Sequence, residues 1–189
     1  MEYPKNHKAM NADFEAARQY MPYILAGAKV ARVAPGIFFA IGSRESNWGV
    51  CRTRLYRPNG PAGTGDWVAR KGDMPADGLG WGRGLMQIDY AAHEFARNGN
   101  WQDPEANILY GASVLLASFK YLRRQFPSLS VPRIMRCAIA GYNCGPGNVK
   151  RALNAKKNPD HYTAHGNYSE DVLARARWFA LYARMEAAA

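Results

Sequence analysis

The chain has 189 residues, enough for one domain with a substantial core, and its 48% apolar and 21% charged content is that of an ordinary globular protein. Near-apolar runs such as 36–42 and 109–119 fall far short of the roughly 20 residues that span a bilayer, so no transmembrane segment is expected. Against 15 Asp and Glu stand 25 Lys and Arg, and the net charge of +10 calls for a polyanionic partner: nucleic acid, an acidic membrane surface or an anionic cell-wall polymer.

The opening Met1-Glu2-Tyr3-Pro4-Lys5-Asn6-His7 lacks a basic head followed by an apolar segment. No classical secretory signal is therefore expected, which leaves the export route open, with phage-type release among the options. Residues 1–12 read as an N-terminal extension. Phe14, Ala17, Met21, Ile24 and Ala28 recur at steps of three and four and predict a first amphipathic helix over 14–26. Pro35 suits the first turn of a second, buried helix over 37–46, which should stop before Gly49.

Glu45 lies at the end of that helix, in Ser43-Arg44-Glu45-Ser46-Asn47-Trp48-Gly49. Arg44 offers it a salt-bridge partner. A carboxyl where an apolar helix runs into a Gly-rich loop has a second use. Partial burial disfavours the charged form, so the group can stay protonated and serve as a general acid near neutral pH.

Residues 50–84 form a long irregular insertion. From Arg57 to Gly84 there are eight Gly and three Pro, together with Asp66, Trp67, Asp73, Asp77 and Trp81. Structureless segments beyond about 12–15 residues are unusual in a compact domain unless they have a function. The composition fits a cleft wall that presents carboxylates and aromatic rings; the plain alternative is a surface loop.

Asp103-Pro104-Glu105 predicts the clearest helix start, a cap, a first-turn Pro and an acidic first turn in agreement. Its stripe of Ile108, Ala112, Leu115, Phe119, Leu122 and Phe126 reads as core. Another helix should start at Ser130-Val131-Pro132 and run through Ala138 and Ala140. A last one opens near Ser169 with Val172, Ala176, Phe179 and Ala183 on one face. Strand-like alternation is scarce, and the predicted class is all-α. Cys51, Cys137 and Cys144 are odd in number and match no zinc spacing, so they read as small buried thiols.

Four further segments join Glu45-Ser46 and Gly49: Gly84-Leu85-Met86-Gln87-Ile88-Asp89, Asp103-Pro104 with Asn107-Ile108 and Gly111, Tyr142-Asn143-Cys144-Gly145-Pro146-Gly147-Asn148-Val149, and Tyr168 with Asp171-Val172. In this order they resemble the superfamily of goose-type lysozymes and lytic transglycosylases, and the resemblance covers roughly residues 34–172. Asp89 directly after Met-Gln-Ile, and His93 four positions beyond, are similar to the goose-type branch. Those enzymes carry a second Asp about eleven residues upstream. Position 78 is Gly here, so Asp77 is the nearest match and Asp73 the next.

The resemblance implies a lysozyme-like single domain across 1–189, with 50–84 as a cleft insertion. It implies a muramidase that cleaves the β-1,4 bond between N-acetylmuramic acid and N-acetylglucosamine, acting on the cell wall without cofactor or metal. Glu45 would be the acid, while Asp77 and Asp89 would hold the attacking water. Gln87, His93, Tyr142, Asn143 and Tyr168 would hold glycan. The implied partners are peptidoglycan glycan strands, with a protein inhibitor as an open option; a monomer is expected. A lytic transglycosylase, whose muramic hydroxyl attacks in place of water, is the alternative.

Readings from other classes fit less. A nucleic-acid module would use the charge and the helix start after Gly145-Pro146-Gly147, but no phosphate-loop Lys-Ser/Thr accompanies them. A metal site on Asp160, His161 and His165 would need one continuous helix, whereas Asn158-Pro159 and Gly166 read as loop. A non-catalytic wall binder has no need of Glu45.

Overall fold

Pro22 decides how the chain begins. Helix α1 runs over Lys8–Ala17, capped by the His7 Nδ1 atom, which accepts from Met10 N at 3.3 Å. Pro22 has no N–H to donate to the Arg18 carbonyl one turn back, and its ring crowds that oxygen. The single helix expected over 14–26 is therefore broken by a 3-10 turn at Arg18–Tyr20. Helix α2, Met21–Ala31, restarts with the proline in its first turn, where no N–H is missed. The apolar pattern carries through the break, so Ala17, Ile24 and Ala28 are all buried.

The structure, a computed structural model, describes residues 2–50, 75 and 81–182. Cys51 and most of the expected cleft insertion, including Asp66, Trp67, Asp73 and Asp77, lie outside the described residues. Residues 2–12, read from the sequence as an extension, pack on the domain. Met10 is fully buried, and Trp178 Nε1 donates to the Pro4 carbonyl at 3.1 Å.

Helix α3, Pro35–Ser46, is the central element. Phe38, Phe39, Ala40, Ile41, Gly42 and Ser43 are buried in succession, so every face of this stretch meets protein. Its end is unusual. Asn47, Trp48 and Gly49 all have positive φ, at 49°, 52° and 84°. Left-handed Trp is unfavourable, and the surroundings hold it there. The indole stacks on Tyr20 and Phe39, donates to the Phe39 carbonyl at 3.1 Å, and lies against Gly42, where a Cβ would collide with it.

A two-strand hairpin follows, β1 (Gly82–Arg83) antiparallel to β2 (Ile88–Asp89), and then a short helix α4, Glu94–Asn98. Helix α5, Pro104–Gln125, starts as its sequence predicts, with Asp103 Oδ2 accepting from Ala106 N at 2.7 Å. Helices α6 (Val131–Cys144), α7 (Pro146–Asn154) and α8 (Tyr168–Tyr182) complete an all-α domain in which the hairpin is the only sheet among the described residues. Helix α3 packs most extensively on α8, while α5 packs on α2 and α6.

A buried polar cluster locks α1, α3 and α8 together. Arg175 donates from Nε to Asp171 Oδ2 at 2.9 Å, and from Nη1 to Ser43 Oγ at 2.8 Å and Asp13 Oδ2 at 3.2 Å. Ser43 Oγ and Asn47 Nδ2 also bond Asp13, at 2.6 and 3.0 Å, and Arg44 reaches Asp171 at 3.1 Å. Tyr3 donates its hydroxyl to Asp171 Oδ1. Asp13 and Asp171 are 0% and 2% exposed, so their charges depend on these partners. Arg175→Met keeps the volume but takes the guanidinium from both carboxylates, leaving Asp13 with only the neutral donors Ser43 and Asn47 and Asp171 with Arg44 and Tyr3. It should destabilise the fold by about 3–5 kcal/mol, read as a lower urea midpoint with an unchanged slope; a midpoint within error of wild type would show that the cluster contributes nothing.

Candidate active site

Glu45 stands one residue before the end of α3, half-buried, and accepts a hydrogen bond on Oε1 from the Tyr168 hydroxyl. Tyr168 is the first residue of α8 and is 2% exposed. Its phenol is pushed well above its ordinary value of 10, by burial first and then by the negative charge of Glu45 and the hydrogen bond to it. Tyr142, near the end of α6, is raised likewise by burial and by Glu45. Two neutral phenols therefore gather around one carboxyl group.

The start of α8 is fixed from below. Asp160 is 1% exposed and accepts from Ser169 N at 2.8 Å and Ser169 Oγ at 2.5 Å, while Tyr168 N donates to Thr163 Oγ1 at 3.3 Å. An anionic group at a helix N-terminus satisfies amides that have no intrahelical partner and complements the helix dipole. Asp160, considered in the sequence beside His161 and His165 as a metal ligand, thus anchors the helix that carries Tyr168. Both His side chains lie exposed on short 3-10 turns, and no metal-ligand cluster occurs among the described residues. Arg44, the salt-bridge candidate for Glu45, pairs with Asp171, its guanidinium 5.8 Å from the Tyr168 ring centre.

Three helices grip the turn between β1 and β2 by its backbone. Ser46 Oγ donates to the Leu85 carbonyl at 2.7 Å and the Tyr142 hydroxyl to the Met86 carbonyl at 2.8 Å. Asn107 on α5 accepts from Met86 N at 2.8 Å and donates to the Arg83 carbonyl at 3.0 Å. Gly111 has no side chain because a Cβ there would lie 2.9 Å from the Met86 Cβ and 3.0 Å from the Tyr142 hydroxyl. The turn that carries Gln87 is thereby tied to the residue next to Glu45.

Gln87 adopts φ 48°, and its side chain braces its own turn, Nε2 donating to the Gly84 carbonyl at 2.9 Å. Asp89 pairs with Gly82 across the hairpin and is oriented by Ala92 N, which donates to Oδ1 at 2.8 Å. His93 Nδ1 lies 3.2 Å from the Tyr110 hydroxyl; burial lowers its pKa, against the opposing pull of Asp89. Asn143 is exposed, and its Oδ1 accepts from Ala164 N at 2.8 Å, which ties the end of α6 to the turn before α8.

Glu45, Tyr142 and Tyr168 thus form one electrostatically linked group, and Gln87, Asp89 and His93 line up along the hairpin and the residues after it. Asp77 lies outside the described residues. Of the thiols, Cys137 is buried, and Cys144 is raised to about 11 by burial and by Asp160, so it stays a thiol near neutral pH. The sequence assigns Asn107 no role beyond its motif and gives no sign of Arg83, which is fully buried with its guanidinium 4.6 Å from the Tyr90 ring and 5.0 Å from that of Trp101. A polar residue directly before the apolar stripe of α5 was the available signal for Asn107; an Arg between two glycines gives none.

The family model described as "Lysozyme g" matches residues 5–182. Lysozyme g of Epinephelus coioides is 32% identical over 177 residues, which cover 92% of this chain and 81% of the relative. Lysozyme g of Cyprinus carpio is 30% identical over 95% of this chain and 81% of its own length, and that of Struthio camelus 26% over 92% and 72%. With a match across nearly the whole described fold and relatives at this level of identity, the chain belongs to the goose-type lysozyme family.

Proposed function

We propose that this lysozyme hydrolyses the β-1,4 bond between N-acetylmuramic acid and N-acetylglucosamine in peptidoglycan, with Glu45 as general acid and inversion at the anomeric carbon. The observation that carries the reading is the contact of Tyr168 with Glu45. A buried, neutral phenol holds one carboxyl oxygen and aims the group. As the glycosidic bond breaks, the Glu45 proton passes to the leaving oxygen. A water attacks from the opposite face of the sugar, and its proton passes to a base.

Asp89 is the described candidate for that base, oriented by Ala92 N, with Asp77 as its partner in holding the water. In an inverting enzyme the acid and base carboxyls stand about 6.5–9.5 Å apart to leave room for this water. Tyr142 and the hairpin turn with Gln87 flank the acid, and Asn143 and His93 offer polar groups to N-acetyl and hydroxyl groups farther along the glycan. The net charge of +10 would hold the enzyme to an anionic wall.

Glu45→Gln removes the transferable proton at nearly constant size and should lower turnover at least about 10²–10⁴-fold while leaving the melting temperature unchanged. Lysis by the purified variant near the wild-type rate would refute the assignment. Asp89→Asn and Asp77→Asn should each impair hydrolysis, and the double variant far more, since one Asp can mask the loss of the other. Normal hydrolysis by the double variant would remove both from the mechanism.

Tyr168→Phe tests the phenol. Both Tyr142 and Tyr168 have raised pKa values in the fold, so their contribution to stability is present below the unfolded value of 10 and is lost as pH rises through the higher folded values. In wild type these two phenols should ionise only with alkaline unfolding, as followed by phenolate absorbance. The variant should lose one late-titrating group and turn over about ten- to a hundredfold more slowly, within the range for a misplaced acid. An unchanged rate would show that the Tyr168 contact does not orient the acid.

Lysis of whole cells should fall steeply between low and high salt, because exposed charges are screened within about 8–10 Å at physiological ionic strength. Cleavage of an uncharged chitin oligomer should change little. Equal salt sensitivity on the two substrates would place the effect in the active site or the fold.

A further inference from the structure

Residues 143–169 carry Lys150, Arg151, Lys156, Lys157, His161 and His165 but one carboxylate, Asp160, which is buried and held by Ser169. The segment comprises α7 and the turns before α8, and Arg151, Lys156, Lys157, His161 and His165 are exposed. The Arg151 guanidinium lies 4.1 Å from the Tyr162 ring centre, and Lys157 Nζ is 3.0 Å from His161 Nε2. The His161 and Tyr162 rings meet edge to face at 4.5 Å. Two cations are thus each fixed by an aromatic neighbour, and among the described residues neither is paired with a carboxylate. A guanidinium laid on an aromatic ring keeps its edge available for a bidentate carboxylate contact and loses little freedom on binding.

The end of α7 fixes where Lys157 leaves the helix. Lys157 N bonds the Ala152 carbonyl at 2.9 Å and Lys156 N the Leu153 carbonyl at 2.9 Å, with Lys156 at φ 55°. This is the helix ending whose left-handed position normally holds Gly. A Lys is disfavoured there relative to Gly, and His165 occupies a second left-handed position at φ 60° in the same exposed stretch.

The segment adjoins the candidate active site through the chain itself. Ala164 N bonds Asn143, and Thr163 Oγ1 accepts from Tyr168 N, the residue that holds Glu45. We propose that Arg151 and Lys157, fixed by Tyr162 and His161, bind stem-peptide carboxylates of the same peptidoglycan strand that occupies the cleft. The inference rests on the peptidoglycan reading above. The link of this segment to Asn143 and to Tyr168, which holds Glu45, favours the strand's own peptides over a separate phosphodiester wall polymer.

The test compares binding of uncrosslinked, polymer-free peptidoglycan strands with binding of the same strands after their carboxylates have been converted to amides, using the full-length Glu45→Gln protein and that protein with Arg151→Ala and Lys157→Ala added. Loss of two exposed charge contacts should weaken binding of the native strands about five- to tenfold and leave the amidated strands within about twofold. Lys156→Gly, which relieves the left-handed strain and leaves Arg151 and Lys157 in place, should raise the melting temperature and keep binding of native strands within about twofold. Equal losses on both ligands, no loss on native strands, or a loss confined to an added poly(glycerol phosphate) ligand would overturn the proposal. Cleavage of the strands by Glu45→Gln, seen by mass spectrometry of the same samples, would instead overturn the catalytic reading and leave the binding comparison intact.

Discussion

The two acids Asp13 and Asp171, shut away from water and held by Arg175, are the constraint on which the described architecture turns. Buried ion pairs add little net stability, because desolvation opposes their attraction, but breaking one is costly. Their contribution here is register. Arg175 on α8 reaches both Ser43 on α3 and Asp13 on α1, and Arg44 adds a second link from α3 to Asp171. The end of α3 can therefore meet the start of α8 in one alignment only. In that alignment Glu45 and Tyr168, 123 residues apart, come into hydrogen-bond contact.

The left-handed end of α3 follows from the same cluster. Asn47 is tied to Asp13, and the chain that leaves it drives Trp48 into the core instead of out toward solvent. Ser46 and Tyr142 then take the backbone of the hairpin turn, and Asn107 holds it from the other side. The polar residues of the recurring motifs mostly contact backbone here. Gln87, Asn143, Ser46 and Asn107 each bond a main-chain atom, so their first effect is to fix loops around Glu45. Contact with a glycan would use the remaining faces of these groups.

Helix positions were legible wherever local chemistry and periodicity agreed. The Asp103-Pro104-Glu105 start, the stripe of α5 and the first-turn Pro35 of α3 all lie as the sequence predicts. The break at Arg18–Tyr20 was hidden because the apolar period runs through it, although Pro22 marked it. Strands of two residues carry no alternation, so the hairpin could not be read. Glu45, Tyr142 and Tyr168 were legible as motif members and do converge. The polar cluster was not: Asp13 and Arg175 are 162 residues apart and look like ordinary surface charges in their own helices. At Asp160 the loop residues Asn158, Pro159 and Gly166 already argued against a metal site with His161 and His165, but its anchoring of α8 could not be read, because Ser169 lies nine residues farther on.

Convergence of a half-buried carboxyl with neutral phenols accounts for an acid, whereas the proposed choice of water as nucleophile depends on Asp89 and Asp77. That choice is read most directly in the reaction products. Mass spectrometry of purified peptidoglycan digested by the wild-type protein should show muropeptides ending in reducing N-acetylmuramic acid, one water heavier than their 1,6-anhydro counterparts. Predominantly anhydro products would contradict hydrolysis by an Asp-held water and assign the attack to the muramic acid's own hydroxyl.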